Sequence, residues 1–88
     1  MYRLLLRKSV ERIFRKMAKR QPEQLRRIQS KLEEIVTDPH RFKNLRAPLQ
    51  RLRRVHIDGS YVLFYSIDEA NNAVIVEDYD HHDRVYRR

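Results

Sequence analysis

The sequence predicts an α+β domain in the order β-α-α-β-β-β, a helix hairpin covering one face of an antiparallel sheet. Three observations carry this. Two successive stripes of apolar residues recur at the helical period in the first half of the chain. From Leu52 onward the period changes to two. The only glycine, Gly59, follows Asp58 between two strand-like runs, which marks a hairpin. All 88 residues are expected to form one domain, 1–88. A chain of this size buries only roughly 60–65% of its unfolded surface, so the core must be thin.

The first element is a short strand within Met1–Lys8, where YRLLL is too brief for a helix before Ser9. Ser9 is the expected N-cap of the first helix, although Arg12 stands where a capping box would place an acid. Val10, Ile13, Phe14, Met17 and Ala18 then fall on one helical stripe, with Arg12, Arg15, Lys16, Lys19 and Arg20 opposite. Gln21-Pro22 breaks this helix, and Pro22 suits the first position of the next. Leu25, Ile28, Leu32, Ile35 and Val36 make the second stripe, and Thr37-Asp38-Pro39 ends it. Both stripes are expected to turn toward one core.

His40–Gln50 reads as a connecting segment. Val55 and Ile57 then alternate with Arg54 and His56, a strand with one apolar and one polar face. Tyr61–Ile67 is apolar throughout and predicts a central strand; Asp68–Asn72 turns, and Ala73–Asp78 supplies the last strand.

Charge is the strongest global signal. Twenty Lys and Arg against twelve Asp and Glu give a net charge of +8, and the excess lies in residues 1–56. Such a surface concentrates polyanions and binds phosphate backbones in a salt-sensitive way, with arginine gripping phosphate bidentately. Nucleic acid, ribosomal RNA included, is the expected partner; a solubilising surface, or a basic face for an acidic protein, is the alternative. There is no cysteine, which removes disulfides and thiol chemistry. No run approaches the ~18 apolar residues of a membrane span, and no signal-peptide pattern opens the chain. A cytoplasmic protein without membrane contact is expected.

The closing stretch DYDHHDRVYRR (Asp78 to Arg88) invites a metal reading through His81 and His82. Adjacent residues on a strand point to opposite faces, so one ion would not suit both, and neither a metal nor a cofactor is expected. One glycine cannot build a phosphate-binding loop, and the four serines carry no nucleophile motif. RNA cleavage remains. Activating a 2′-hydroxyl needs a base, the leaving 5′-oxygen needs an acid, and the developing phosphorane needs a cation. Arg54 and His56 on the first hairpin strand, with His81, His82, Arg84 and Tyr86 at the end, offer those groups if the last strand pairs beside the hairpin. From the residues alone, His56 is equally a solvent-facing strand residue, and Tyr86 equally an anchor for the tail.

In this order the pieces resemble the RelE/ParE superfamily, toxins of type II toxin–antitoxin modules. The likeness runs through the opening strand, the hairpin ending in Thr37-Asp38-Pro39, Phe42-Lys43-Asn44-Leu45, and Leu52-Arg53-Arg54-Val55-His56-Ile57. It continues with Tyr61–Asp68 and closes on His81-His82-Asp83-Arg84-Val85-Tyr86. The resemblance implies a twisted antiparallel sheet under a helix hairpin and, in the RelE branch, cleavage of messenger RNA on the ribosome. It also implies a RelB-like antitoxin partner. Arg54 and His56 match the branch's two basic strand residues, and Tyr86 its terminal tyrosine. His82 replaces an arginine four before that tyrosine. Val62 and Asp80 stand where the branch carries further cations. On this reading Arg12, Arg15, Lys16, Lys19, Arg20, Arg26 and Arg27 on the helices, with Arg51 and Arg53, would face RNA and the ribosome. The ParE branch, which poisons DNA gyrase, and a non-catalytic nucleic-acid-binding module are the alternatives.

Overall fold

The computed structural model describes residues 1–85. Strand β1 (Arg3–Leu6) leads into helices α1 (Lys8–Arg20) and α2 (Pro22–Thr37), with a short 3-10 turn at Pro39–Arg41. Strands β2 (Arg53–Ile57), β3 (Tyr61–Asp68) and β4 (Ala73–His81) follow, and α3 (His82–Val85) is a single closing turn. No helix among the described residues is long and apolar enough to cross a membrane.

The helices begin and end for local reasons. α1 starts two residues before the expectation: Arg7, not Ser9, is its N-cap. The Arg7 amide is held by the Val76 carbonyl at 3.1 Å, so Arg7 is the last extended residue and its own carbonyl accepts from Glu11 at 2.9 Å. Val10, Phe14 and Met17 are buried, whereas Ala18, expected in the stripe, is exposed. Gln21 separates the helices, and Pro22 takes the first position of α2, where its missing N–H costs nothing. Ile28, Leu32, Ile35 and Val36 of α2 join the same core.

The sheet order is β1-β4-β3-β2, with β3 central as expected. β2/β3 and β3/β4 are antiparallel, but β1 lies parallel to β4, pairing Arg3 with Ala73 and Leu6 with Val76. The sheet is therefore mixed, not purely antiparallel. The intervening helices and hairpin bring the chain back along the same direction, as parallel neighbours require. At the hairpin, Asp58 and Gly59 both adopt positive φ (48° and 83°), the pair of conformations a tight turn of this hand demands.

One residue governs which way β4 faces. The register passes from Phe64 opposite Asp78 to Tyr65 opposite Val76, leaving Glu77 as an extra residue in β4. Before this bulge Val74 and Val76 point into the core; after it Tyr79 does, and Asp78 and Asp80 turn away from the helices. Were alternation to run unbroken from Val76 through Glu77, the two acids would meet the helix hairpin and Tyr79 would leave it. β4 also runs on to His81, three residues beyond the expectation.

Tyr65, fully buried, donates from its hydroxyl to the Pro39 carbonyl and ties the 3-10 turn to the central strand. Burial pushes that hydroxyl up to about 12, with Arg53 acting in the opposite sense, so it stays a donor.

Candidate functional site

The candidate site lies on the sheet face turned away from the helices. Alternation places Val55 and Ile57 of β2 inward, so Arg54 and His56 project outward. Across the sheet, His56 pairs with Val62 and Val62 with Asp80; Arg54 pairs with Phe64 and Phe64 with Asp78. Two rows thus cross this face, each with a basic residue at one end, a buried apolar residue in the middle and a carboxylate at the other.

The two histidines of the closing stretch part company here. His81 is in register with Tyr61 and Ile57, on the helix side, where its ring meets the Tyr61 ring edge-on at 5.2 Å. Tyr61 in turn stacks on the buried Tyr79 at 5.4 Å. The His81 Nδ1 accepts the Asp83 amide at 3.2 Å. His82 opens α3, with its amide on the Ser60 carbonyl at 2.8 Å, and its ring lies 6.3 Å from the His56 ring. Its Nδ1 lies 3.2 Å from the Asp83 carboxylate. Of the adjacent pair, only His82 joins His56.

Beside them runs a groove of about 620 Å³, lined by Lys43, Asn44, Leu45, Arg46, Arg54 and His56. That volume suits a nucleotide-sized ligand. The groove exists because residues 42–52 fold back on β2: Asn44 bridges to Arg53, and Leu45 donates to the Leu52 carbonyl at 2.9 Å. Arg46, missing from the sequence-derived candidates, is therefore part of the site, together with Lys43. Polar, apolar and polar residues at Asn44-Leu45-Arg46 were the one sequence signal of this short pairing. The imidazoles can act as proton donor and acceptor, and the cations can bind a phosphodiester.

Several of the residues expected to contact RNA also have partners within the chain. Arg53 donates to the Phe42 and His40 carbonyls and so holds the folded-back segment. Arg51 reaches Glu77 at 3.5 Å, and Arg84 lies 3.8 Å from Asp80. Arg26 pairs with Glu23, Arg27 with Asp58 and Arg15 with Glu11. Arg12, Arg15, Lys16 and Lys19 form an exposed basic strip on α1, with Arg20 at its end, and none of them lines the groove. Tyr86 lies outside the described residues.

Glu77, also a carboxylate of this sheet side, has partners from three segments. Ser66 Oγ donates to it at 2.6 Å, Arg7 Nε at 2.8 Å, and Arg51 stands beyond. Burial opposes its charged form, but Arg7, Ser66 and Arg51 together outweigh that and hold the carboxyl below the usual range.

The family model described as ParE toxin of the type II toxin–antitoxin system parDE matches residues 2–86. A Methanosarcina mazei protein of uncharacterised role is 50% identical over 98% of this chain and 100% of its own length. A Methanocaldococcus jannaschii protein whose name proposes a toxin, RelE4, is 46% identical over 100% of this chain and 94% of its own. Among solved structures, the RelBE2 toxin–antitoxin complex of Mycobacterium tuberculosis contains a chain of the same fold. It superposes with a TM-score of 0.75 at 24% identity, covering 92% of this chain and 98% of that one.

Proposed function

The chain belongs to the RelE/ParE superfamily of type II toxins, and on that premise we propose that it is a ribosome-dependent endoribonuclease that cuts messenger RNA. The observation that carries this reading is the meeting of His56 and His82, rings 6.3 Å apart, beside Arg54 at the mouth of a groove carrying Lys43 and Arg46. One imidazole takes the 2′-hydroxyl proton, the other supplies a proton to the departing 5′-oxygen, and the guanidinium and ammonium groups stabilise the charge that grows on phosphorus. No step requires a metal or cofactor. The basic strip on α1 faces ribosomal RNA, Tyr86 stacks on or orients the message, and the protein works in the cytoplasm. A RelB-like antitoxin restrains it, in keeping with the solved RelBE2 toxin–antitoxin complex of a chain with this fold.

One observation favours a second reading. Val62, fully buried between His56 and Asp80, stands where RelE-like toxins carry an arginine. Members of the ParE branch, which poison DNA gyrase, lack the ribonuclease residues.

Expression of the wild type and of a His56→Ala/His82→Ala variant, followed by mapping of messenger-RNA 5′ ends, separates the two. The wild type is expected to create new ends. Each missing acid or base should cost about 10²–10⁴-fold in rate, so the double variant should create none. Growth arrest with gyrase-linked DNA breaks and no new 5′ ends would refute the ribonuclease reading.

A further inference from the structure

Glu77 is an unusual residue to find in a β-strand of a small, basic protein. It is the extra residue of the β4 bulge, and its side chain is only 12% exposed. Desolvating a carboxylate is costly unless partners replace the lost water, and here three segments supply them. Ser66 comes from β3, the neighbouring strand; Arg7 from the β1–α1 junction, bonding through both Nε and a terminal nitrogen; and Arg51 from the end of the folded-back segment that lines the groove.

The bulge has a second consequence. Because it inserts one residue, every later β4 residue faces opposite to the side that strict alternation from Val76 would give it. Asp78 and Asp80 therefore look away from the helices, and the chain leaves β4 with His82 next to His56, not beneath the helix hairpin. A bulge is held only as firmly as its extra residue is held.

We propose that Glu77 is a positioning residue: by gathering Ser66, Arg7 and Arg51 it locks the β4 bulge in register, and the locked bulge sets His82 beside His56. Glu77 touches no substrate. Its effect on cleavage passes through His82, and through Arg51 to the groove-lining segment. The mechanistic part of this inference rests on the ribonuclease reading above; the placement of His82 does not.

The test compares the wild type with Glu77→Gln, which keeps the shape and can still accept from Ser66 but cannot pair with two guanidinium groups. Ser66→Ala is a second, milder variant on the other strand. Two quantities are measured: the nuclear Overhauser contact between the His56 and His82 rings, and kcat and KM for message cleavage. Glu77→Gln should weaken or abolish the ring contact while the Tyr61–Tyr79 contact persists. It should lower kcat about tenfold or more with little change in KM. Ser66→Ala should shift both in the same direction by less, and Glu77→Asp should recover part of the loss. Retention of the ring contact and of kcat in both Glu77→Gln and Ser66→Ala would overturn the proposal. If the wild type cleaves no message, the ribonuclease reading fails by itself, and the ring contact still decides the role of Glu77.

Discussion

The helix-facing side of the sheet is a continuous apolar surface, with Val55, Leu63, Tyr65, Val74, Val76 and Tyr79 all buried. The opposite side is built from the residues in between, and there Arg54, His56, Asp78 and Asp80 surround the buried Val62 and Phe64. The same strands serve both. One side supplies cohesion, since about 25 cal/mol per Å² of buried apolar area must offset the ordering of a short chain. The other keeps ionisable groups near water, which spares them the cost of full burial. The division works only while each residue stays on its own side.

The largest expected effect of crossing that division is on the cohesive side. Leu63→Ala removes a fully buried side chain next to Tyr65 and should cost about 2–5 kcal/mol, lowering Tm by roughly 10–30 °C in a thermal melt. Arg54→Ala, one register pair away on the opposite side, should change Tm by only a few degrees while weakening cleavage. Equal losses of stability would erase the distinction.

A smaller effect separates the adjacent histidines. His81→Ala loses an edge-on ring contact with Tyr61, about 0.5–1.5 kcal/mol by calorimetry, and should leave cleavage near the wild-type rate. His82→Ala should do the reverse. A collapse of cleavage in His81→Ala would move the candidate site to the helix side.

The smallest effect is the acid limit of Glu77. Its carboxyl titrates below the ordinary value of 4.5 in the folded protein, so its contribution to stability is fully present above about that pH. It is lost as pH falls through the lower, folded value. The Tm difference between wild type and Glu77→Gln, followed from pH 7 to 3, should stay constant down to about pH 5 and then shrink. Asp68 and Glu34, whose carboxyls are also held low, titrate in both proteins and cancel.

Much of this was legible in the sequence. The helical stripes located α1 and α2, and the alternation of Val55 and Ile57 with Arg54 and His56 oriented β2, because both depend on short-range periodicity. What depends on distant pairing was not. Arg7 became the α1 cap because Val76 holds it, and β1 runs parallel because of where the helices return the chain. The groove lining at Lys43 and Arg46 follows from the fold-back onto β2, a contact that few local residues announce. Above all, the bulge at Glu77 is a mismatch in length between two strands, and it decides which histidine faces the candidate site. Two adjacent histidines looked interchangeable until that one residue assigned them.

The parallel seam between β1 and β4 also sets a timetable. A ribosome releases Arg3 long before Ala73, so the first strand must wait, unpaired, through both helices and the hairpin for its neighbour to be made. Until then Leu4 and Leu6 have no strand beside them, and β3 has an open flank. A product broken off before Ala73 holds the basic helices, Arg54 and His56, yet has no bulge and no His82 to set against them. Maturity, in this molecule, arrives with its last strand.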